Sequence, residues 1–391
     1  MSEKKLTDNL EKIAIVSAVP ETILAFMPKH LQALAGKYST YAVCSNACSI
    51  PLERLIPDVK YIDISIERKI SPLKDLASLF KLVHFFRDHQ FTLVQSITPK
   101  AGLLSMLASW ICRVPIRIHF FTGQVWVTRS GFSRWYLKSF DRLVAMLATS
   151  LLADSPSQKE FLVSEGIARA QDIEVLADGS ICGVDSLRFK PNQEVKQKVR
   201  SQLGIPQGAI VALFMGRLKE DKGVLDLARA FGALQPEVTN LYVVFVGPDE
   251  EGLMGQILQL ASLQSNQVRF VDSVNNPEDY FAAANFLCLP SFREGFGLVT
   301  IEAAAAGIPT LASRIYGITD AIIDGVTGIL HQPGDSVGIA IGLRDMMDAK
   351  NCQNMGDAAK NRALELFPTA RIVKAQLSYY QSLIQKYRNH A

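Results

Sequence analysis

Short runs of β-branched and aliphatic residues alternate along the chain with longer segments whose apolar residues recur at helical spacing. In the first half, Leu73–His89 and Lys100–Cys112 have the length and periodicity of helices. The runs predicted to be strands there are Lys12–Val19, Thr40–Cys44, Val59–Ile64, Thr92–Ile97, Ile116–Phe120 and Ser150–Ala153. Alternation of strands with helices is typical of a parallel sheet that is covered by helices on both faces.

The alternation restarts after a polar stretch that contains Pro191 and Pro206. Two such series predict an α/β protein of two doubly wound, Rossmann-like domains with a hinge near residues 186–206. We place the N-terminal domain at residues 1–190, the C-terminal domain at 191–368 and a closing helix across the domain junction at 369–391. Ligands of such sheets bind beyond the carboxyl ends of the strands, so we expect the site in the cleft between the domains. The strands predicted in the second series are Ala209–Met215, Leu241–Val246, Val268–Val271, Phe286–Leu289 and Thr310–Ala312.

Composition narrows the class of protein. Of the 391 residues, 48% are hydrophobic and 20% charged, which suits two packed cores and argues against disorder. The net charge of +3 is too small to indicate nucleic-acid binding. Among six cysteines only Cys44 and Cys48 are close, and no second pair or histidine completes a zinc site, so we predict reduced thiols. The polar first residues and the short apolar stretch Ile13–Val19 predict no signal peptide and no spanning helix, and thus a cytoplasmic protein.

The segment SFREGFGLVTIEAAAAGIPTLAS, residues 291–313, carries the strongest signal for a ligand site. A predicted strand ends at Pro290, a glycine-containing loop follows, and an alanine-rich helix begins near Gly297. Such a loop at a helix amino terminus presents backbone N–H groups to an anion. Glu294 in the loop and Glu302 in the helix are each able to accept hydrogen bonds from the hydroxyls of one ligand.

A second segment, FMGRLKEDKG at residues 214–223, follows the first strand of the predicted C-terminal domain. It brings Arg217 and Lys222 to a strand-end loop, where an arginine fork and a mobile lysine charge suit phosphate oxygens. Gly216 and Gly223 allow close approach of the backbone. Beside an anion-binding helix start, these cations predict a clamp for a diphosphate. The sequence holds no Asp-x-Asp triplet, so we predict that no metal takes part.

These segments resemble the family 4 glycosyltransferases, retaining enzymes of the GT-B fold. The likeness is closest to enzymes that build bacterial capsule, O-antigen, lipopolysaccharide and lipid-linked oligosaccharides. It extends over most of the chain in the order of the family and is carried by residues 98–108, 113–126, 153–167, 183–191, 216–223, 246–252, 291–313 and 315–330.

The resemblance implies a nucleotide diphosphate sugar as donor, with a UDP-sugar favoured, and no separate cofactor. Arg217 and Lys222 would bind the diphosphate, Glu294 the hydroxyls of the transferred sugar and Glu302 the ribose. Glu294, Arg217 and Lys222 would also be the catalytic residues, and the two cations would stabilise the charge that builds up on the leaving phosphate. The full set of donor-binding positions that it implies is Gly216, Arg217, Lys222, Glu294, Gly295, Phe296, Gly297, Leu298, Val299 and Glu302.

The chain departs from the family pattern in its first half. Many relatives have a glycine-rich acceptor loop after the first strand, where this chain has residues 17–21, Ser-Ala-Val-Pro-Glu. Relatives often place a histidine before the glycine that corresponds to Gly123, whereas this chain has Thr122 there. His119 lies three residues earlier in a predicted strand. We keep Thr122, Gly123 and His119 as candidate sugar or acceptor contacts. For His119, the alternative is a histidine of the core.

A basic and aromatic stretch predicts contact with an anionic membrane surface. No acidic residue occurs between Asp88 and Asp141. Basic residues interleaved with aromatic ones suit an anionic bilayer, although a solvated face with core aromatics is the alternative. The residues concerned are Lys100, Arg113, Arg117, Arg129, Arg134 and Lys138, with Trp126, Phe132, Trp135, Tyr136 and Phe140.

The sequence thus favours transfer of a hexose or N-acetylhexosamine to a lipid-linked or polysaccharide acceptor at the inner face of the cytoplasmic membrane. Two alternatives stay open. One is a nucleotide-sugar epimerase on the same fold, and the other is a non-catalytic subunit that binds a sugar nucleotide for a partner transferase.

Overall fold

The computed structural model describes residues 10–45, 56–67, 71–234, 238–261 and 265–389. The chain divides into two compact units, one of Met1–Cys182 with Thr369–Ala391 and the other of Gly183–Pro368. The boundary between them follows Cys182, whereas the sequence analysis placed it after residue 190. The closing helix is part of the first unit. Cys48 lies outside the described residues.

The first unit is built on a seven-stranded parallel sheet with the strand order β3-β2-β1-β4-β5-β6-β7. Apolar side chains fill both faces of its central strands, because helices cover the sheet on either side. Its strands are β1 Lys12–Val16, β2 Ser39–Cys44, β3 Lys60–Asp63, β4 Leu93–Ile97, β5 Ile116–Phe121, β6 Ser150–Ala153 and β7 Ile173–Val175. Its helices are α1 Pro20–Phe26, α2 Pro28–Ala35, α3 Pro72–His89, α4 Pro99–Ile111, α5 Gly131–Leu147, α6 Pro156–Ser164 and, at the end of the chain, α15 Thr369–Arg388.

Several helices of this unit begin at a proline, which has a fixed φ and lacks the N–H that a first helical turn leaves unpaired. Helix α4 packs between α3 and α5 on one face of the sheet. Helix α15 packs against α2 and is anchored by a buried group of polar side chains in which the Tyr380 hydroxyl and the Gln376 amide meet Gln95.

The second unit contains a six-stranded parallel sheet with the order β10-β9-β8-β11-β12-β13. Its strands are β8 Ile210–Met215, β9 Leu241–Val246, β10 Val268–Val271, β11 Phe286–Leu289, β12 Thr310–Ser313 and β13 Gly328–His331. Its helices are α7 Gln193–Gln202, α8 Val224–Leu234, α9 Met254–Leu260, α10 Pro277–Ala283, α11 Leu298–Ala305, α12 Ile318–Ala321, α13 Ser336–Met346 and α14 Ala349–Leu366.

The strand order of the second unit fixes the position of a crevice at one edge of its sheet. The chain runs outward from β8 to β10 and then returns to β11 on the other side of β8, so the order reverses between β8 and β11. At such a switch point the loops that follow the two strands diverge and leave a crevice at the carboxyl edge of the sheet. The loops after β8 and β11 are those that carry the predicted cations and carboxylates.

The predicted α/β class with two doubly wound sheets is confirmed. Strands β7 and β13 are additions to the prediction. The first has three residues and the second contains glycine and histidine, so neither forms an apolar run long enough to detect. No disulfide joins any of the five cysteines in the described ranges. None of the helices described is long and apolar enough to cross a bilayer.

Candidate functional site

The loop after β8 is shaped by two glycines. Gly216 has a φ of 151° and Gly223 a φ of 70°, values that side-chain-bearing residues rarely adopt. A Cβ on Gly223 would lie 2.0 Å from the carbonyl oxygen of Pro290, at the end of β11. Between the glycines, a single turn of 3-10 helix, Glu220–Lys222, ends on Lys222. Only glycine at residue 223 lets this turn lie directly against the neighbouring loop.

The loop after β11 leads into the amino terminus of α11. Gly297 precedes the helix with a φ of 75°, and within the described residues no side chain caps this end. A Cβ on Gly317 would lie 2.3 Å from the carbonyl oxygen of Gly295, so close backbone contact holds the loop in place. The first N–H groups of an α-helix have no partner within the helix. The anion site predicted from the sequence falls on this end of the helix and stays a prediction.

The two loops meet through a cation and a carboxylate. Lys222 Nζ donates to Glu294 Oε1 over 2.7 Å, and each side chain is 16% exposed. Partial removal of the pair from water strengthens the attraction between the charges. The residue predicted to bind phosphate and the residue predicted to bind sugar hydroxyls are therefore in direct contact.

Arg217 lies at the outer side of the same loop and is 42% exposed. Its Nη1 lies 3.1 Å from Glu250 Oε2, which belongs to the loop after β9. Glu250 and Glu251 also pair with Lys219. Exposed ion pairs contribute little to stability, so an anionic ligand can replace Glu250 as the partner of Arg217 at small cost.

Glu302 lies on α11 and is half-buried. Burial raises the pKa of its carboxyl to about 7, while the nearby Arg188 lowers that pKa and Glu278 raises it. Arg188 and Glu278 themselves form an ion pair of 2.9 Å. Glu302 is thus a carboxyl poised between its neutral and ionised forms near neutral pH.

The side chain of Phe296 takes no part in the crevice. It is buried in the core and meets the ring of Phe367 edge-on at 5.1 Å. Leu298 and Val299 are partly buried and pack against the same core. The predicted donor contact of these three residues can therefore involve only their backbone groups, and it stays a prediction.

Family models match both units of the chain. One, described as a glycosyl transferase 4-like domain, matches residues 40–179, and another, described as glycosyl transferases group 1, matches residues 195–362. The chain belongs to glycosyltransferase family 4. It is accordingly a transferase enzyme, and the loops after β8 and β11 fall within the second matched region.

The chain is similar to the capsular polysaccharide biosynthesis glycosyltransferase CapM of Staphylococcus aureus, with 28% identity over 83% of this chain and 85% of CapM. It is also similar to the D-inositol 3-phosphate glycosyltransferase of Streptomyces avermitilis, with 35% identity over 63% of this chain. The match spans about half, 54%, of that relative. The solved structure of Anabaena HepE in complex with UDP-glucose superposes with a TM-score of 0.78 at 21% identity, covering 95% of this chain and 99% of HepE. The fold is therefore GT-B.

In this family 4 chain, His119 is a core residue. It is 2% exposed, its Nδ1 lies 2.8 Å from Ser96 Oγ, and its ring fills the space beside Gly102, where a Cβ would lie 2.4 Å away. Burial lowers the pKa of the imidazole to about 3, so the ring is neutral. The alternative interpretation of His119 as a core histidine is the one that fits. Thr122 and Gly123 follow the end of β5 and are half-buried.

The predicted membrane stretch divides into buried and exposed parts. Trp126 is fully buried and donates from Nε1 to Asp141 Oδ2 over 2.7 Å. Burial raises the pKa of this Asp141 carboxyl to about 6. Arg134 and Lys138 lie over the Trp126 ring and both pair with Glu165, at 2.9 and 2.6 Å. The prediction that Trp126 contacts a membrane surface is therefore wrong, because its indole is a core side chain.

Other aromatic residues of the stretch lie at the surface. Phe132 is 75% exposed and Trp135 59%, and Tyr136 stacks on Phe132 at 6.1 Å. Arg129, just before α5, is exposed as well.

Two residues of the crevice were not predicted. Asp221 and Arg293 form an ion pair between the loops after β8 and β11. The sequence offers one signal for them, which is that Asp221 directly precedes Lys222 and Arg293 directly precedes Glu294. No group of three or more His, Cys, Asp or Glu side chains in the described ranges could hold a metal ion.

Proposed function

We propose that this protein transfers a hexose or N-acetylhexosamine from a nucleotide diphosphate sugar, with a UDP-sugar favoured, to a sugar hydroxyl. The observation that carries the proposal is the contact of Lys222 with Glu294 beside the uncapped amino terminus of α11. A cation and helix N–H groups suit the diphosphate, and a carboxylate next to them suits the sugar that the diphosphate carries. HepE, which has the same fold, was solved with UDP-glucose.

The acceptor is a lipid-linked or polysaccharide glycan of the bacterial cell surface. CapM, to which the chain is similar over most of its length, is a capsular polysaccharide glycosyltransferase. The site of action that fits such an acceptor is the inner face of the cytoplasmic membrane.

The reaction proceeds with retention of configuration. The bond between the anomeric carbon and the phosphate oxygen breaks, and the acceptor oxygen bonds to the anomeric carbon from the same face. The acceptor proton passes to the leaving phosphate oxygen, so the products are the glycoside and the nucleoside diphosphate. Arg217 and Lys222 stabilise the charge that builds on that phosphate, and removal of one such donor typically costs about 10²–10³ in rate.

Apolar side chains on the first unit support contact with a membrane. Helices α3, α4 and α5 pack side by side, and each exposes large hydrophobic residues. Exposed apolar side chains on neighbouring helices favour an interaction site, and aromatic rings favour the lipid–water interface. The exposed residues are Leu73, Leu76, Phe80, Trp110, Ile111, Phe132, Trp135, Tyr136 and Met146.

A donor screen tests the proposed function. Purified protein is incubated with each of a panel of nucleotide sugars and with lipid-linked oligosaccharide acceptors, and release of nucleoside diphosphate and formation of glycoside are measured. We expect one donor to give both products in equal amounts. Conversion of the donor to its epimer would instead identify an epimerase. Donor binding without turnover under all conditions would identify a non-catalytic subunit.

A further inference from the structure

Two ion pairs connect the loops after β8 and β11. Along the first loop the order is Asp221 then Lys222, and along the second it is Arg293 then Glu294. To the ion pairs between the loops, each loop thus contributes one anion and one cation. The pairs formed are Asp221 with Arg293 and Lys222 with Glu294.

The pair of Asp221 with Arg293 is well formed and largely shielded. Asp221 Oδ2 accepts from Arg293 Nε at 3.0 Å and lies 2.8 Å from Nη2, and the two side chains are 18% and 20% exposed. The main chain adds a further link, because the N–H of Phe292 donates to the carbonyl oxygen of Asp221 over 3.0 Å. Within the described residues, the second carboxylate oxygen of Asp221 is buried without a hydrogen-bond partner. Arg293 is hence the group that compensates this buried charge.

Neutralising either member of the pair would release the other to compete for the site residues. Without Asp221, the guanidinium of Arg293 is an unpaired cation next to Glu294 in the chain. Without Arg293, the carboxylate of Asp221 is an unpaired anion next to Lys222. Shielded charges do not stay unpaired when an opposite charge is within reach.

We propose that Asp221 and Arg293 are positioning residues that keep Lys222 available to the diphosphate and Glu294 available to the sugar by excluding the crossed pairs. The inference rests on the proposed function, in which Lys222 and Glu294 bind the two ends of one donor. It predicts that the two single variants lose affinity for different parts of the donor. Asp221→Asn frees Arg293 to occupy Glu294 and weakens recognition of the sugar, whereas Arg293→Gln frees Asp221 to occupy Lys222 and weakens binding of the phosphates.

Calorimetric titration with UDP and UDP-glucose, or with the donor pair that the screen selects, tests this. For Asp221→Asn we expect about a tenfold loss of affinity for the nucleotide sugar and less than a threefold loss for the free nucleotide. For Arg293→Gln we expect about a tenfold loss for both ligands. The double variant Asp221→Asn/Arg293→Gln, with neither competitor present, should return to within about threefold of the parent for both. Tenfold corresponds to about 1.4 kcal/mol.

A matched control is the ion pair of Asp226 with Arg229, which has a similar distance of 2.8 Å but lies within α8. Arg229→Gln should leave both affinities unchanged. Two results would overturn the inference and indicate a purely structural pair. One is that Asp221→Asn loses affinity equally for both ligands. The other is that the loss of affinity in the double variant equals the product of the losses in the two single variants. Failure of the parent protein to bind any nucleotide sugar would overturn the proposed function, and the inference with it.

Discussion

Lys222 Nζ lies 2.7 Å from Glu294 Oε1, and this contact joins the loops that follow two neighbouring strands of one sheet. In the proposed complex each partner exchanges this contact for a ligand: the ammonium turns to phosphate oxygens and the carboxylate to sugar hydroxyls. The ion pair thus keeps two partly buried charges compensated before the donor arrives.

The close approach of the loops is tested by Gly223→Ala, with Gly325→Ala as the matched control. Both glycines have a φ near 70°, so both substitutions carry a similar backbone strain of about 1 kcal/mol. At residue 223 the added methyl would also lie 2.0 Å from a Pro290 backbone atom, whereas nothing lies within 4 Å at residue 325. We expect a small loss of stability from strain in Gly325→Ala and a larger one in Gly223→Ala, where the clash adds to the strain. A loss of donor binding of tenfold or more is expected only in Gly223→Ala. Equal donor affinities in the two variants, measured by titration, would contradict the assigned loop packing.

The ionisation of Glu302 makes stability depend on pH. Its pKa rises from 4.5 in the unfolded chain to about 7 in the folded one, so the folded protein holds this proton more tightly. Its contribution to stability is therefore full below about pH 4.5 and is lost as the pH rises through 7. Glu302→Gln removes this loss of folding stability, which amounts to up to about 3 kcal/mol.

Thermal unfolding of parent and variant at a series of pH values measures this effect. The Tm of Glu302→Gln should exceed that of the parent above pH 7, and the difference should vanish near pH 4.5. A Tm difference that is constant across this range would show that the carboxyl titrates normally.

Turnover of the donor should survive chelation, because the proposed neutralising groups for the diphosphate are Arg217, Lys222 and the amino terminus of α11. The measurement is glycoside formation before and after exhaustive treatment with EDTA. Abolished activity that magnesium or manganese restores would show that a metal neutralises the diphosphate instead.

The membrane contact should depend on exposed aromatic rings. A triple variant of Phe132, Trp135 and Tyr136 to serine removes side chains worth on the order of 1 kcal/mol each, which shifts partitioning by roughly two powers of ten. The matched control is Arg134→Gln/Lys138→Gln, because Glu165 already pairs with both cations. In sedimentation with phosphatidylglycerol vesicles, the aromatic variant should remain in solution and the control should bind like the parent. If the control variant stays in solution while the aromatic variant sediments with the vesicles, binding is electrostatic.

Much of the second unit was predictable from sequence because its signals are local. Long apolar runs such as Leu241–Val246 match observed strands, and glycines placed between strand and helix identified the loops after β8 and β11. Contacts between loops are not local, so the pairing of Lys222 with Glu294 and that of Asp221 with Arg293 could not be foreseen. The interpretation of Trp126 was wrong for a related reason: an aromatic residue beside cations looks the same in sequence whether it faces lipid or a buried carboxylate.

The central claim is that Lys222 binds the phosphates and Glu294 the sugar of one donor. Calorimetric titration of Lys222→Ala and Glu294→Gln with a nucleotide sugar and its free nucleoside diphosphate tests it most directly, with Lys219→Ala as a control in the same loop. Lys222→Ala should lose affinity for both ligands about equally, Glu294→Gln should lose affinity for the nucleotide sugar alone, and Lys219→Ala should resemble the parent. Equal losses for both ligands in Glu294→Gln, or unchanged nucleotide affinity in Lys222→Ala, would contradict the account.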